Sequence, residues 1–102
     1  MAWFVKTETF TAETAALSIE QRRPFLEAHR HWLDQHIGLG RRIRSGFLVD
    51  DQRRPGGGGL LIFQASSYAD ALAWVSQDPM IVEGLVAWQL QEWIPVNGDD
   101  WP

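Results

Sequence analysis

The side chains of this sequence best suited to moving a proton are His29 and Asp78. His29 falls between Phe25 and Trp32 and beside Leu33, at the three- and four-residue steps that place side chains on one helical face. An imidazole on an apolar face must find a hydrogen-bond partner, and with a carboxylate as partner it becomes a general acid or base. The plainer alternative is a core histidine bonded to a backbone carbonyl. Asp78 precedes Pro79, which suits it to cap the turn that the proline opens. The two roles are compatible, because one carboxylate oxygen can cap while the other orients an imidazole. The residues alone leave open whether His29 and Asp78 meet.

The remaining candidates carry less. His36 shares the helical face of His29 but sits seven residues on, about 10 Å along the axis. The two cannot ligate one metal together without a bridging group, and with no H-E-x-x-H pattern and no cysteine a zinc site is not expected. His31 points to the opposite, solvent side. Ser45 lies in a strand pattern with Ile43 and Phe47, without the G-x-S-x-G elbow of a serine nucleophile. It reads as a strand serine bonded to a neighbour, with a substrate-orienting hydroxyl as the sharper possibility. The run DDQRRPGGGG at 50–59 lacks the Gly-Lys-Ser/Thr that would hold a phosphate, so it is expected to be a flexible hairpin loop.

These residues need a scaffold, and the periodicities supply one. Alternation around Trp3, Val5, Thr7 and Thr9 predicts a first strand over residues 2–9. Ser18 and Gln21 form a possible capping box, but Pro24 predicts a break, with the first long helix starting afresh there. That helix carries Phe25, Ala28, His29, Trp32, Leu33 and His36 on its sheet-facing side and stops at Gly38 and Gly40. A second strand covers residues 41–49, and the unbroken Leu60, Leu61, Ile62, Phe63 predicts a third strand buried on both faces. Ser66 or Ser67 caps a second helix with Tyr68, Leu72 and Val75 as its inner stripe. A fourth strand follows from Val86 to Ile94, and the tail NGDDWP is expected to be peripheral. The order β-α-β-β-α-β is the ferredoxin-like, α+β arrangement, an antiparallel sheet with helices on one face and its first and third strands central.

Composition sets the bounds. A chain of 102 residues holds one domain, 1–102, and its 45% hydrophobic and 22% charged residues are globular. A net charge of −4 leaves no basic stripe for nucleic acid. Without cysteine there is no disulfide, thiolate ligand or thiol nucleophile. No apolar run approaches the roughly 20 residues of a membrane span. The start MAWFVKTETF lacks the pattern of a signal peptide, so a cytoplasmic protein is expected. Because one helix layer covers one sheet face, the second apolar face is expected to pair with another copy as a homodimer.

Taken together, A-H-R-H-W-L at 28–33, Gly40, Ser45-Gly46, and W-V-S-Q-D-P-M-I-V-E-G at 74–84 resemble the YciI-like (YCII-related) family over nearly the whole chain. The resemblance implies a ferredoxin-like subunit in a dimeric α+β barrel, with a site centred on a His and an Asp that correspond to His29 and Asp78. Ser45 corresponds to the small residue before the family's glycine. Members of this kind include dehydrochlorinases, and muconolactone isomerases share a similar barrel. The implied chemistry is proton abstraction or transfer on a small cyclic organic substrate without metal or organic cofactor. The rival reading is a non-catalytic module that binds a small ligand. Hydrogen-bond reach between His29 and Asp78, with a pocket lined by Trp32 beside them, favours the enzyme; a filled core with His29 bonded only to backbone favours the module.

Overall fold

The computed structural model describes residues 1–99. Strand β1 spans Ala2–Phe10 and is followed by a single helical turn, α1, at Ala12–Ala15. The long helix α2 spans Ile19–Gly38, and β2 (Ile43–Val49) turns back into β3 (Pro55–Ala65). Helix α3 (Tyr68–Val75), the short α4 (Pro79–Val82) and β4 (Val86–Trp93) complete the chain. The four strands lie in the order β2-β3-β1-β4, every pair antiparallel. The ferredoxin-like order with β1 and β3 central is therefore present.

Alternation along β1 sends Phe4, Lys6 and Glu8 to one face and Trp3, Val5 and Thr7 to the other. Across the sheet Phe4 pairs with Phe63, which pairs with Ile43, and Lys6 stands between Leu61 and Leu90. This is the helix-covered face, where Phe4, Leu61, Phe63 and Leu90 pack with Trp32 and Leu33 of α2 and Ala71, Trp74 and Val75 of α3. Trp74 is the wedge: its ring lies 4.6 Å from Trp32 and 4.6 Å from Phe63 between centroids. The third strand differs from expectation here, because only Leu61 and Phe63 are buried while Leu60 and Ile62 on the other face are half-buried.

Four other expectations need correction. Pro24 does not start α2 but sits inside it, the sixth residue of a helix opened by a Ser18/Gln21 capping box. Proline there forfeits one ladder bond, to the Glu20 carbonyl, in an exposed turn, and the packing of Trp32 and Leu33 outweighs that loss. Ala28 is exposed rather than sheet-facing. The inner face of α3 is Ala71, Trp74 and Val75, not Tyr68, Leu72 and Val75, because burying Trp74 rotates the helix and leaves Tyr68 and Leu72 at the rim. The glycines are strand rather than loop, since β3 already begins at Pro55. The connection shrinks to a turn in which Asp50 Oδ1 accepts from the backbone N–H groups of Gln52 and Arg54, both at 2.9 Å. Residues 97–99 of the tail are exposed, as expected, and 100–102 lie outside the described residues.

Candidate functional site

The site begins with a conflict in β1. Lys6 follows Phe4 by two residues and so shares its inward face, where the covering helices leave the side chain with no exposed surface. A buried ammonium requires acceptors. Lys6 Nζ has two, Asp78 Oδ2 at 2.8 Å and Glu8 Oε1 at 3.0 Å.

Asp78 lies between α3 and α4, where it is the N-cap of α4 and Pro79 takes the first helical position. Its side chain is wholly buried. Oδ1 accepts from the Met80 backbone N–H at 2.9 Å and from His29 Nδ1 at 2.8 Å, while Oδ2 accepts from Lys6. One oxygen thus both caps and orients the imidazole, and the second, free for orienting in the sequence reading, goes to the lysine. Burial opposes ionisation of Asp78, but the hydrogen bond from His29 and the charge and hydrogen bond of Lys6 outweigh it and hold the carboxyl below its ordinary range.

An ionised carboxylate only accepts, so Nδ1 of His29 carries the proton, and Nε2 is the basic nitrogen of the neutral ring. His29 comes from the middle of α2 and its side chain is 19% exposed. The opening is shallow. The expected pocket lined by Trp32 is not formed, because that ring is buried against Trp74. Two open concavities among the described residues lie elsewhere. One, of about 210 Å³, is on the outer side of α2 between Ile19 and Arg30, and the other, of about 220 Å³, is on the open sheet face around Arg44 and Ile62.

The other sequence candidates separate from this centre. Ser45 is exposed on the edge strand β2, opposite Leu61, with β3 standing between it and Lys6. His36 accepts a hydrogen bond at Nδ1 from Trp74 Nε1 at 3.1 Å, which makes it a packing residue of the tryptophan cluster. His31 is exposed. Lys6 and Glu8 are the residues that sequence reasoning missed. The signal was there: both share the parity of Phe4 in a central strand, where a charge breaks the inward apolar pattern.

Glu8, His29 and Asp78 each offer a ligand atom, all within 4.8 Å of one another. Two carboxylates and an imidazole suit a divalent metal by type. The Lys6 ammonium, however, already stands against both carboxylates and supplies the positive charge that a metal would bring.

The sign of the Asp78 shift sets a pH dependence. A carboxyl whose folded pKa is depressed contributes stability that is present above the unfolded value, about 3.9, and is lost as pH falls through the folded value. Urea unfolding is therefore expected to show stability falling as the pH drops below about 4, more steeply in the wild type than in Asp78→Asn. Equal slopes in the two proteins would show that Asp78 is not the linked group.

No curated protein matches this sequence. Among solved structures the chain is similar to 5-chloro-2-hydroxyhydroquinone dehydrochlorinase from Burkholderia phenoliruptrix AC1100, solved in complex with 2,5-dihydroxybenzoquinone. The two share 21% identity with a TM-score of 0.67, over 90% of this chain and 93% of that one. At that identity the likeness establishes a common fold. The family model of the YCII-related domain matches residues 3–94, from the first strand that carries Lys6 and Glu8 to the end of the last, so the chain belongs to the YCII-related family.

Proposed function

We propose that the protein is a small-molecule enzyme in which His29 abstracts or transfers a proton on a cyclic organic substrate, with Asp78 holding the imidazole in place. The observation that carries this reading is the 2.8 Å contact of His29 Nδ1 with a buried carboxylate, which leaves Nε2 as a base on a partly exposed ring. On proton uptake the existing hydrogen bond becomes an ion pair, since Asp78 is already ionised beside the ring. The dehydrochlorinase likeness in fold suggests loss of HCl from a chlorinated ring as one fitting reaction, and the family resemblance suggests isomerisation of a lactone as another. Ser45, on the edge strand, takes no part in this reading. A non-catalytic ligand-binding module is the alternative, and the shallow opening beside His29 favours it.

The test is proton exchange. Hydroxylated, chlorinated and lactone rings incubated with the protein in D2O are expected to lose specific C–H signals in the NMR spectrum. A panel that shows binding but no exchange points to the module.

We further infer a homodimer closed by the open sheet face. Leu60, Ile62, Trp3 and Val5 are half-buried there, and Leu48 and Trp93 remain 45% and 39% exposed. Covering such a face removes apolar surface from water at roughly 25 cal/mol per Å² before association costs. Light scattering at micromolar concentration is expected to give twice the 11.6 kDa chain mass. A folded monomer would remove the inference.

A further inference from the structure

We propose that Glu8 selects the substrate. Its second carboxylate oxygen accepts a hydrogen bond from a hydroxyl group on an uncharged ring, so the site takes hydroxylated rings in preference to anionic ones. The proposal rests on the acid/base reading only for what happens after binding.

Glu8 lies on the inward face of β1, two residues beyond Lys6, and its side chain is only 13% exposed. Oε1 is bound by the Lys6 ammonium. Oε2 is buried and has no hydrogen-bond partner. A buried carboxylate oxygen left without a donor is costly, and native folds leave few of them unexplained. The Glu8 carboxylate belongs to the same cluster as the acid/base pair, since one of its oxygens and ligand atoms of His29 and Asp78 lie within 4.8 Å of one another.

The other buried side-chain atom without a partner among the described residues is Trp32 Nε1, a donor. Its ring centroid is 6.5 Å from that of His29. An unpaired acceptor and an unpaired donor near one imidazole call for a ligand group that both donates and accepts, and a hydroxyl does so. An anionic group is disfavoured. Two carboxylates flank the position, and the single charge of Lys6 is buried and already engaged by both.

The glycine run of β3 finds a use in this arrangement. A Cβ at Gly58 would stand 2.3 Å from the Glu8 carbonyl oxygen, and one at Gly59 would stand 3.1 Å from Glu8 Cγ and 3.3 Å from Oε1. Two residues without side chains thus let Glu8 lie close against the neighbouring strand and reach Lys6.

The experiment uses catechol, its dimethyl ether 1,2-dimethoxybenzene, and benzoate as probes, titrated into protein with isotope-labelled histidines. Catechol is expected to shift the ring resonances of His29, with the ether binding about tenfold or more weakly for lack of a donor and benzoate not binding. Glu8→Gln is expected to lose most of the preference for catechol over the ether. Equal affinity for catechol and its ether, tighter binding of benzoate, or no catechol effect on His29 would each overturn the proposal. The ligand series on the wild type decides the matter even if Glu8→Gln fails to fold. Catechol selectivity without C–H exchange in any substrate would leave this proposal standing and remove the acid/base reading, and exchange without selectivity would do the opposite.

Discussion

Lys6→Met is expected to lose about 3–5 kcal/mol of folding stability, the usual consequence of removing one partner from a buried ion pair. Methionine matches the length and volume of the lysine stem, so the cost arises from the charge and not from a cavity. Without the ammonium, Asp78 keeps its bonds from Met80 and His29 but loses the donor to Oδ2, and Glu8 loses the donor to Oε1. Two carboxylates would then face each other in a largely buried site. Urea denaturation at pH 7 measures the effect. The same reasoning makes the loss smaller at low pH, where protonation of the carboxyls relieves their repulsion. A change below about 1 kcal/mol, the range of exposed pairs, would mean that the cluster is solvated in solution.

This cluster also marks where the sequence was readable and where it was not. The strands β1 and β4 and the cap of α3 at Ser67 were legible because each rests on local signals, alternation in the one case and a serine three residues before Asp70 in the other. His29 and Asp78 were legible singly, the first by its place on an apolar stripe and the second by the proline after it. Their contact joins residues 49 apart in the chain and is a product of how α2 and the α3–α4 junction settle on the sheet. Lys6 was overlooked although its parity with Phe4 marked it. A charged residue in a strand normally faces water, and only the pairing of β1 between β3 and β4 under the helices turns this one inward. Pro24 and the glycines misled because local propensity was outweighed by tertiary packing, in one case by the anchoring of α2 through Trp32 and Leu33, in the other by the ladder that Gly59 forms with Phe47 and Glu8.

His29→Ala is expected to lower any proton exchange on the order of 100-fold or more, the range that a positioned acid or base contributes. The fold should survive, because the ring is partly exposed and Asp78 retains Lys6 and the Met80 N–H after its removal. Asp78→Asn should be nearly as inactive for a different reason. The amide nitrogen must face either the Lys6 ammonium or the N–H groups of Met80 and His29, so a donor meets a donor in every orientation. With the nitrogen toward His29 the ring loses the acceptor that keeps the proton on Nδ1, and with it the free Nε2; with the nitrogen toward Lys6 it keeps the acceptor but loses the charge that stabilises the imidazolium. His31→Ala, altered on the exposed side of the same helix, is the control and should leave exchange unchanged. Exchange rates measured in D2O for the three variants separate the outcomes. Full exchange by His29→Ala would place the base elsewhere, whereas loss in Asp78→Asn alone would assign the aspartate a structural role, as cap of α4 and counterion of Lys6, that activity reports only through the fold.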